Sequence, residues 1–247
     1  MPKARKTKSN KSNYKSFDDF DSNGATPSGR RDVAVKSFNL EFKHGVQRLA
    51  WNIYQQHDIL FMLGAAGTGK SYLAMAFAIE EILNRNSDKE KIILTRPVIE
   101  AGESLGFLPG TLEEKINPYM MPLWDCMSKI AGPTHENNKI RDKINRSYEV
   151  APLAYMRGRT FDNSVCILDE AQNCTHSQLK LFLTRMGASS KMIVTGDPKQ
   201  SDIGGVPDLI DVVNRLESIP GVGVVYFNEE CIVRHKLVGD VLKQLEK

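Results

Sequence analysis

The chain has 247 residues, 41% of them apolar, and a net charge of +3. That is enough for one sizeable core, and the near-balanced charge excludes any reading of partners from global electrostatics. No apolar run reaches the roughly 18 residues that a membrane span needs. The four cysteines (Cys126, Cys166, Cys174, Cys231) are scattered without a C-x-x-C pair, which argues against zinc and for free thiols in a reducing compartment.

Residues 1–31 carry eight Lys or Arg against three Asp, a local +5 that leaves −2 for the remainder. The segment is rich in Ser and Asn and too poor in apolar groups to bury a core. It reads either as a solvated leader or as an electrostatic arm for a polyanion. The amino terminus has no apolar h-region, so a cytoplasmic protein is expected. The folded domain is expected over residues 32–247.

"FKHGVQRLAWNIYQQ" (42–56) places Val46, Leu49, Ala50 and Ile53 at helical spacing. "DILFMLG" (58–64) is an apolar burst closed by glycine, a short buried strand. "SYLAMAFAIEEILNRN" is apolar nearly all round for two turns and then polar, a helix buried at its start. "KIILT", "SVCILDE", "KMIVTGD" and "GVGVVYF" are four further bursts of strand length without clean alternation, as strands covered on both faces are. The polar stretch 131–148 reads as a surface excursion. Strands separated by helical stretches predict an α/β fold, a mostly parallel sheet with helices on both faces.

The junction between the first strand and the second helix, "GAAGTGKS", matches G-x-x-x-x-G-K-[ST] at Gly64, Gly69, Lys70 and Ser71. Its glycines let successive N–H groups converge on phosphate oxygens, and the helix N-terminus adds a positive dipole end. The expected nucleotide contacts are Gly64, Ala65, Ala66, Gly67, Thr68, Gly69, Lys70, Ser71 and the following Tyr72. Lys70 would reach the β- and γ-phosphates of ATP, and the Ser71 hydroxyl would ligate Mg²⁺. The strand "SVCILDE" ends in two carboxylates: Asp169 suits the second Mg²⁺ ligand, and Glu170 suits the base that activates water. A small-molecule kinase needs no such glutamate, so the pair favours hydrolysis. A third strand tip, "TGDPKQ", carries Thr195, Asp197 and Gln200. Gln200 either senses the γ-phosphate or merely follows an Asp-Pro turn.

Taken in order, "GAAGTGKS", "TRPVIEAGESLGFLPG", "PLAYMRGRTF", "ILDEAQN", "LTRMG", "TGDPKQ" and "VRHKLV" resemble the PhoH family of ATPases over about residues 42–245. The resemblance implies a single RecA-like P-loop domain related to superfamily 1 helicase motors. It implies ATP hydrolysis, action on RNA or another single strand, and assembly as a ring, with a hexamer the family's expectation. It also implies roles for single residues. Gln47 would read the adenine edge, Thr95 and Arg96 would touch the nucleic-acid backbone, and Arg234 would be an arginine finger. Arg157 and Arg159 belong to the "RGRT" signature and would contact either phosphate or a neighbouring subunit. Ser71 stands where the family more often has threonine, and "SDIGGVPDL" after Gln200 departs from the family's loop. A chain with room for one motor domain would receive its finger from another copy. Two rivals stand beside the motor reading: a regulatory ATP-binding adaptor, and a P-loop kinase for a small substrate.

Overall fold

The computed structural model describes residues 40–97, 112–132, 138–200 and 208–233. The expectations for the basic tail and for Arg234 fall outside these residues. Among those described, the chain forms six α-helices and six strands.

Helix α1 (Gly45–Gln56) buries Gln47, Ala50 and Tyr54, a stripe at helical spacing. Strand β1 (Ile59–Gly64) follows, and Leu60 to Leu63 are wholly covered. Helix α2 (Lys70–Leu83) buries ten of its residues, from Lys70 and Leu73 through Ile82 and Leu83, as its all-round apolar start predicts. Its aromatic Phe77 packs 5.3 Å from Tyr54 and 5.0 Å from Trp51 of α1. Strand β2 (Lys91–Thr95) comes next.

The following helices correct the sequence reading. Helix α3 (Leu112–Ala131) runs through Pro118 and Pro122, residues that argue against a helix interior. Its buried residues Ile116, Met120, Leu123 and Ile130 lie on one face against α2, and this packing outweighs the lost backbone bonds. The stretch expected as a surface excursion contains helix α4 (Asn138–Ser147), whose Ile144 is 1% exposed, and leads into strand β3 (Tyr148–Val150). Two isoleucines one turn apart, Ile140 and Ile144, anchor α4 among charged residues, too few for a periodicity argument to detect.

Strand β4 (Ser164–Leu168) is buried throughout and ends one residue before the carboxylate pair. Helix α5 (His176–Leu183) begins with a capping box, Thr175 accepting from the Gln178 backbone while the Gln178 side chain returns the bond. Strand β5 (Lys191–Gly196), helix α6 (Asp208–Leu216) and strand β6 (Val222–Phe227) complete the described elements.

All six strands are parallel, in the order β3-β2-β4-β5-β1-β6. Helices α1 to α4 contribute to the apolar cluster on one face; α5 and α6 contribute to the other. Strand β5 lies between the strand that feeds the glycine-rich loop and the strand that carries the carboxylates. Register aligns Leu63 with Gly196, Leu168 with Val194 and Thr95 with Leu168, so four strand tips meet at one carboxyl edge. In a parallel sheet that edge is where ligands bind.

Candidate nucleotide site

The glycine-rich loop occupies the turn between β1 and α2. Gly64 has φ +137°, and a Cβ there would stand 1.9 Å from the carbonyl oxygen of Phe227 on β6. Only glycine allows β1 to leave the sheet so close to its neighbour. Gly69 caps α2 in the left-handed region at φ +89°, aiming the first helical N–H groups into the loop. The Lys70 ammonium donates to the carbonyls of Gly64 and Ala65, both at 2.7 Å. It thus sits coiled inside the loop that a phosphate chain would fill. The Thr68 hydroxyl closes the turn on Ala65 O at 3.0 Å, and Tyr72 is 36% exposed.

Ser71 and Asp169, the two residues expected to ligate Mg²⁺, stand together: the Ser71 hydroxyl donates to Asp169 Oδ1 at 2.7 Å. Alternation along β4 puts Asp169 on the α2 face, with Val165 and Ile167. Thr195, from the tip of β5, donates a second hydroxyl bond to the same oxygen at 2.5 Å. The carboxylate is 2% exposed and oriented from two sides. A serine hydroxyl and one carboxylate are the protein share of a Mg²⁺ shell completed by water and phosphate oxygens. Among the described residues no group of three or more His, Cys, Asp or Glu could hold an ion. A cation here would therefore depend on the nucleotide's own oxygens. The pair fits such an ion.

Glu170 lies one residue on and points elsewhere. Its backbone is left-handed, φ +55° and ψ +42°, a costly conformation for a residue with a Cβ. One carboxylate oxygen accepts from Arg96 at 3.0 Å and the other from Gln172 Nε2 at 2.6 Å. Gln172 in turn accepts from the Asp197 backbone at 3.0 Å, and Asp197 Oδ2 accepts from the Ala66 amide of the loop at 3.0 Å. A hydrogen-bonded line therefore runs from the loop to Glu170 across the tips of β1, β5 and β4. Asp197 had no role in the sequence reading beyond its turn, and Gln172 had none at all. A glutamine two residues after a carboxylate pair at a strand end was the available signal.

The remaining expectations divide. Gln47 uses both ends of its amide within the protein: Oε1 accepts from Lys43 N at 2.8 Å and Nε2 reaches Thr68 O at 3.4 Å. To read a base it would exchange these bonds. Thr95 is 1% exposed and its hydroxyl finds no hydrogen-bond partner, so in this arrangement it offers a nucleic-acid strand no surface. Arg96 turns inward, to Glu170 and to the Tyr119 carbonyl at 3.2 Å. Arg157 is exposed. Arg159 pairs with Glu149 and stacks 4.6 Å from the Phe161 ring, at the β3 side of the sheet rather than at the loop. The backbone of Gln200 closes the Asp-Pro turn on Asp197 O at 3.0 Å, and its side chain is exposed. Arg234 lies outside the described residues.

A cleft of about 540 Å³ opens beside the loop, lined by Gly64, Ala65, Asp197, Lys199, Tyr226 and Glu230 among others. Helix α3 brings its Tyr119 carbonyl to Arg96 and its Cys126 within reach of the Asp169 charge. Burial pushes up the thiol of its Cys126, and the negative charge of Asp169 adds to the effect.

The PhoH-like protein family model matches residues 39–246. A PhoH-like protein of Bacillus subtilis (strain 168) is 46% identical over 215 residues, 86% of this chain and 66% of that protein. Protein PhoH of Escherichia coli (strain K12) is 43% identical over 185 residues, 74% of this chain and 51% of its own. The chain thus spans about half to two thirds of the length of these relatives. The large terminase of a thermophilic bacteriophage superposes with a TM-score of 0.53 at 13% identity, over 82% of this chain and 50% of that one. At that identity the likeness is one of fold, a RecA-like P-loop architecture. No helix among the described residues is long and apolar enough to cross a membrane.

Proposed function

This chain belongs to the PhoH-like protein family, and from that premise we propose that it hydrolyses ATP and couples hydrolysis to a single strand of nucleic acid, RNA before DNA. The observation that carries the reading is the meeting of Ser71 and Asp169 at 2.7 Å, with Glu170 adjacent to it. Ser71 and Asp169 belong to elements 98 positions apart in sequence, and a plain glycine-rich turn requires no such meeting.

In this reading the loop amides and Lys70 bind the phosphates, and Lys70 leaves the Gly64 and Ala65 carbonyls to do so. Ser71 and Asp169 would hold Mg²⁺, which would supply neutralising charge to the phosphates. Thr195 keeps the Asp169 carboxylate in place for that task. Glu170 takes a proton from the attacking water, a contribution of about 10² to 10⁴-fold. Lys70, Gln200 and Arg234 complete the set proposed to act on the γ-phosphate. Gln47 reads the adenine edge in this proposal, giving up its bond to Thr68 O to do so. Arg96, Arg157 and Arg159 are the guanidinium groups proposed for a strand or a neighbouring subunit, and assembly as a ring belongs to the same reading.

Steady-state ATP hydrolysis with and without single-stranded RNA and DNA tests it. Turnover that needs Mg²⁺, rises with RNA and is lost in Lys70→Ala is expected. Phosphate transfer to a metabolite without RNA stimulation would replace the reading by a kinase. Slow turnover indifferent to nucleic acid would replace it by a regulatory adaptor.

A further inference from the structure

The carboxylate proposed as general base accepts from a protein donor at each of its oxygens. Arg96 NH2 holds one oxygen of Glu170 at 3.0 Å, and Gln172 Nε2 holds the other at 2.6 Å. A base so held is oriented by two donors, although its side chain remains 36% exposed and each oxygen keeps a free lone pair. The two donors differ in how firmly they are fixed. Gln172 is 3% exposed and tied to the Asp197 backbone. Arg96 follows the last residue of β2, with its side chain 19% exposed. It grips Glu170 through one nitrogen only, while its other terminal nitrogen donates to Tyr119 O and lies 4.0 Å from Asp169 Oδ2. A guanidinium satisfied at one carboxylate oxygen is open to competition from an anion that offers two, because the planar fork matches paired phosphate oxygens.

We propose that Arg96 is a positioning residue that restrains Glu170 at rest and releases it when a phosphodiester of a bound single strand takes the guanidinium. Strand binding would thereby switch on hydrolysis through one side chain. The inference rests on the hydrolytic reading of Glu170 given above. Gln172 is the fixed half of the restraint and sets the orientation to which Glu170 returns. Atom balance is untouched by the switch: it moves no proton and breaks no covalent bond, and only the partner of the guanidinium changes.

The test is ATP hydrolysis by the full chain, wild type and variants, with no polymer, with poly(U) and with poly(dT). Arg96→Gln removes the charged prong. Its polymer-free kcat is expected to rise about two- to fivefold, the worth of a partly exposed ion pair. Its KM for ATP should stay unchanged, and poly(U) should add nothing further. Gln172→Met removes the donor to Glu170 at similar size without placing a second charge beside it, and leaves the Asp197 amide without this side-chain acceptor. Its polymer-free kcat should also rise, with the polymer response retained because Arg96 is intact. A fall in kcat for Arg96→Gln at unchanged KM would overturn the proposal, since Arg96 would then support the base. Equal poly(U) stimulation of Arg96→Gln and wild type would overturn it too, and so would wild type that ignores both polymers. Should Arg96→Gln not fold, the outcome rests on Gln172→Met: an unchanged or lower kcat with intact affinity for a fluorescent ADP overturns the restraint. Glu170→Gln separates the two levels. Wild-type turnover in that variant removes Glu170 as base, and with it the hydrolytic reading itself, whatever Arg96 does.

Discussion

Asp169 and Glu170 are neighbours in sequence with unlike surroundings, and their substitutions should differ accordingly. Asp169 is held by two hydroxyls on the α2 face; Glu170 is held by a guanidinium and an amide off the strand end. Glu170→Gln is expected to bind Mg-ATP normally and turn over about 10² to 10⁴-fold more slowly. Asp169→Asn should instead raise the Mg²⁺ concentration needed for half-maximal rate. A Mg²⁺ titration of both variants decides, and identical curves would deny them separate roles. A second residue-scale prediction concerns pH. Burial pushes the thiols of Cys166 and Cys174 up to about 12, with Glu149 adding at Cys166. In the unfolded chain a thiol ionises near ~8.5. The folded pKa is the higher, so the stabilisation is complete below the unfolded value and is lost as pH rises from there toward about 12. The urea midpoint of wild type should therefore fall between about pH 8 and pH 10. In Cys166→Ala/Cys174→Ala it should start lower and fall less; parallel slopes would exclude the thiols as the cause.

At the scale of elements, the site is assembled from strand tips, and its precision depends on how closely they pack. The exit from β1 is the tightest point. An alanine at Gly64 would bring its Cβ to within 1.9 Å of Phe227 O and force a left-handed φ. Strain and overpacking together should cost roughly 2–4 kcal/mol, read as a lowered unfolding midpoint. Nucleotide affinity should fall as well, because β6 and the loop cannot both keep their places. An alanine variant as stable as wild type would show that β6 yields there. Helix α3 illustrates the opposite balance. Pro118 and Pro122 remove backbone bonds from a 20-residue helix, yet Met120 and Leu123 between and beyond them are 2% and 0% exposed against α2.

At the scale of the whole molecule, the proposals concern charge and assembly. Deleting residues 1–30 removes seven Lys or Arg and three Asp, a net +4. If that segment is an arm, nucleic-acid affinity should fall and its dependence on salt should flatten, since fewer counterions are released per binding event. ATP hydrolysis without nucleic acid should be unaffected. An unaltered salt slope would return the segment to a solvated leader. For the ring, Arg234→Ala and Lys70→Ala should each be inactive by itself. A finger delivered between subunits is worth about 10³ to 10⁵-fold. Mixed rings would contain interfaces joining an intact loop to an intact finger, and activity should return on mixing. A mixture that exchanges subunits and stays inactive would place the finger within its own chain or remove Arg234 from the role.

The residues from Gly64 to Ser71 and the Asp169–Glu170 pair were legible in the sequence because local rules act on them. The loop needs glycine where the backbone turns, and the acids needed only an apolar run to be recognised as a strand end. The parallel sheet was legible for the same reason, as bursts covered on both faces separated by helical stretches. Helices α3 and α4 and the short β3 were not, because their apolar residues are interrupted by proline or nearly absent, and packing on α2 and β2 decides them. The order of strands was beyond any local signal. It puts β5 between β1 and β4, and so brings Thr195 to Asp169 and Asp197 to Ala66. The inward turn of Arg96 was likewise undecidable from a motif that reads equally well facing solvent. A hydrogen bond across 74 positions of sequence exists only once the tips of β2 and β4 stand side by side.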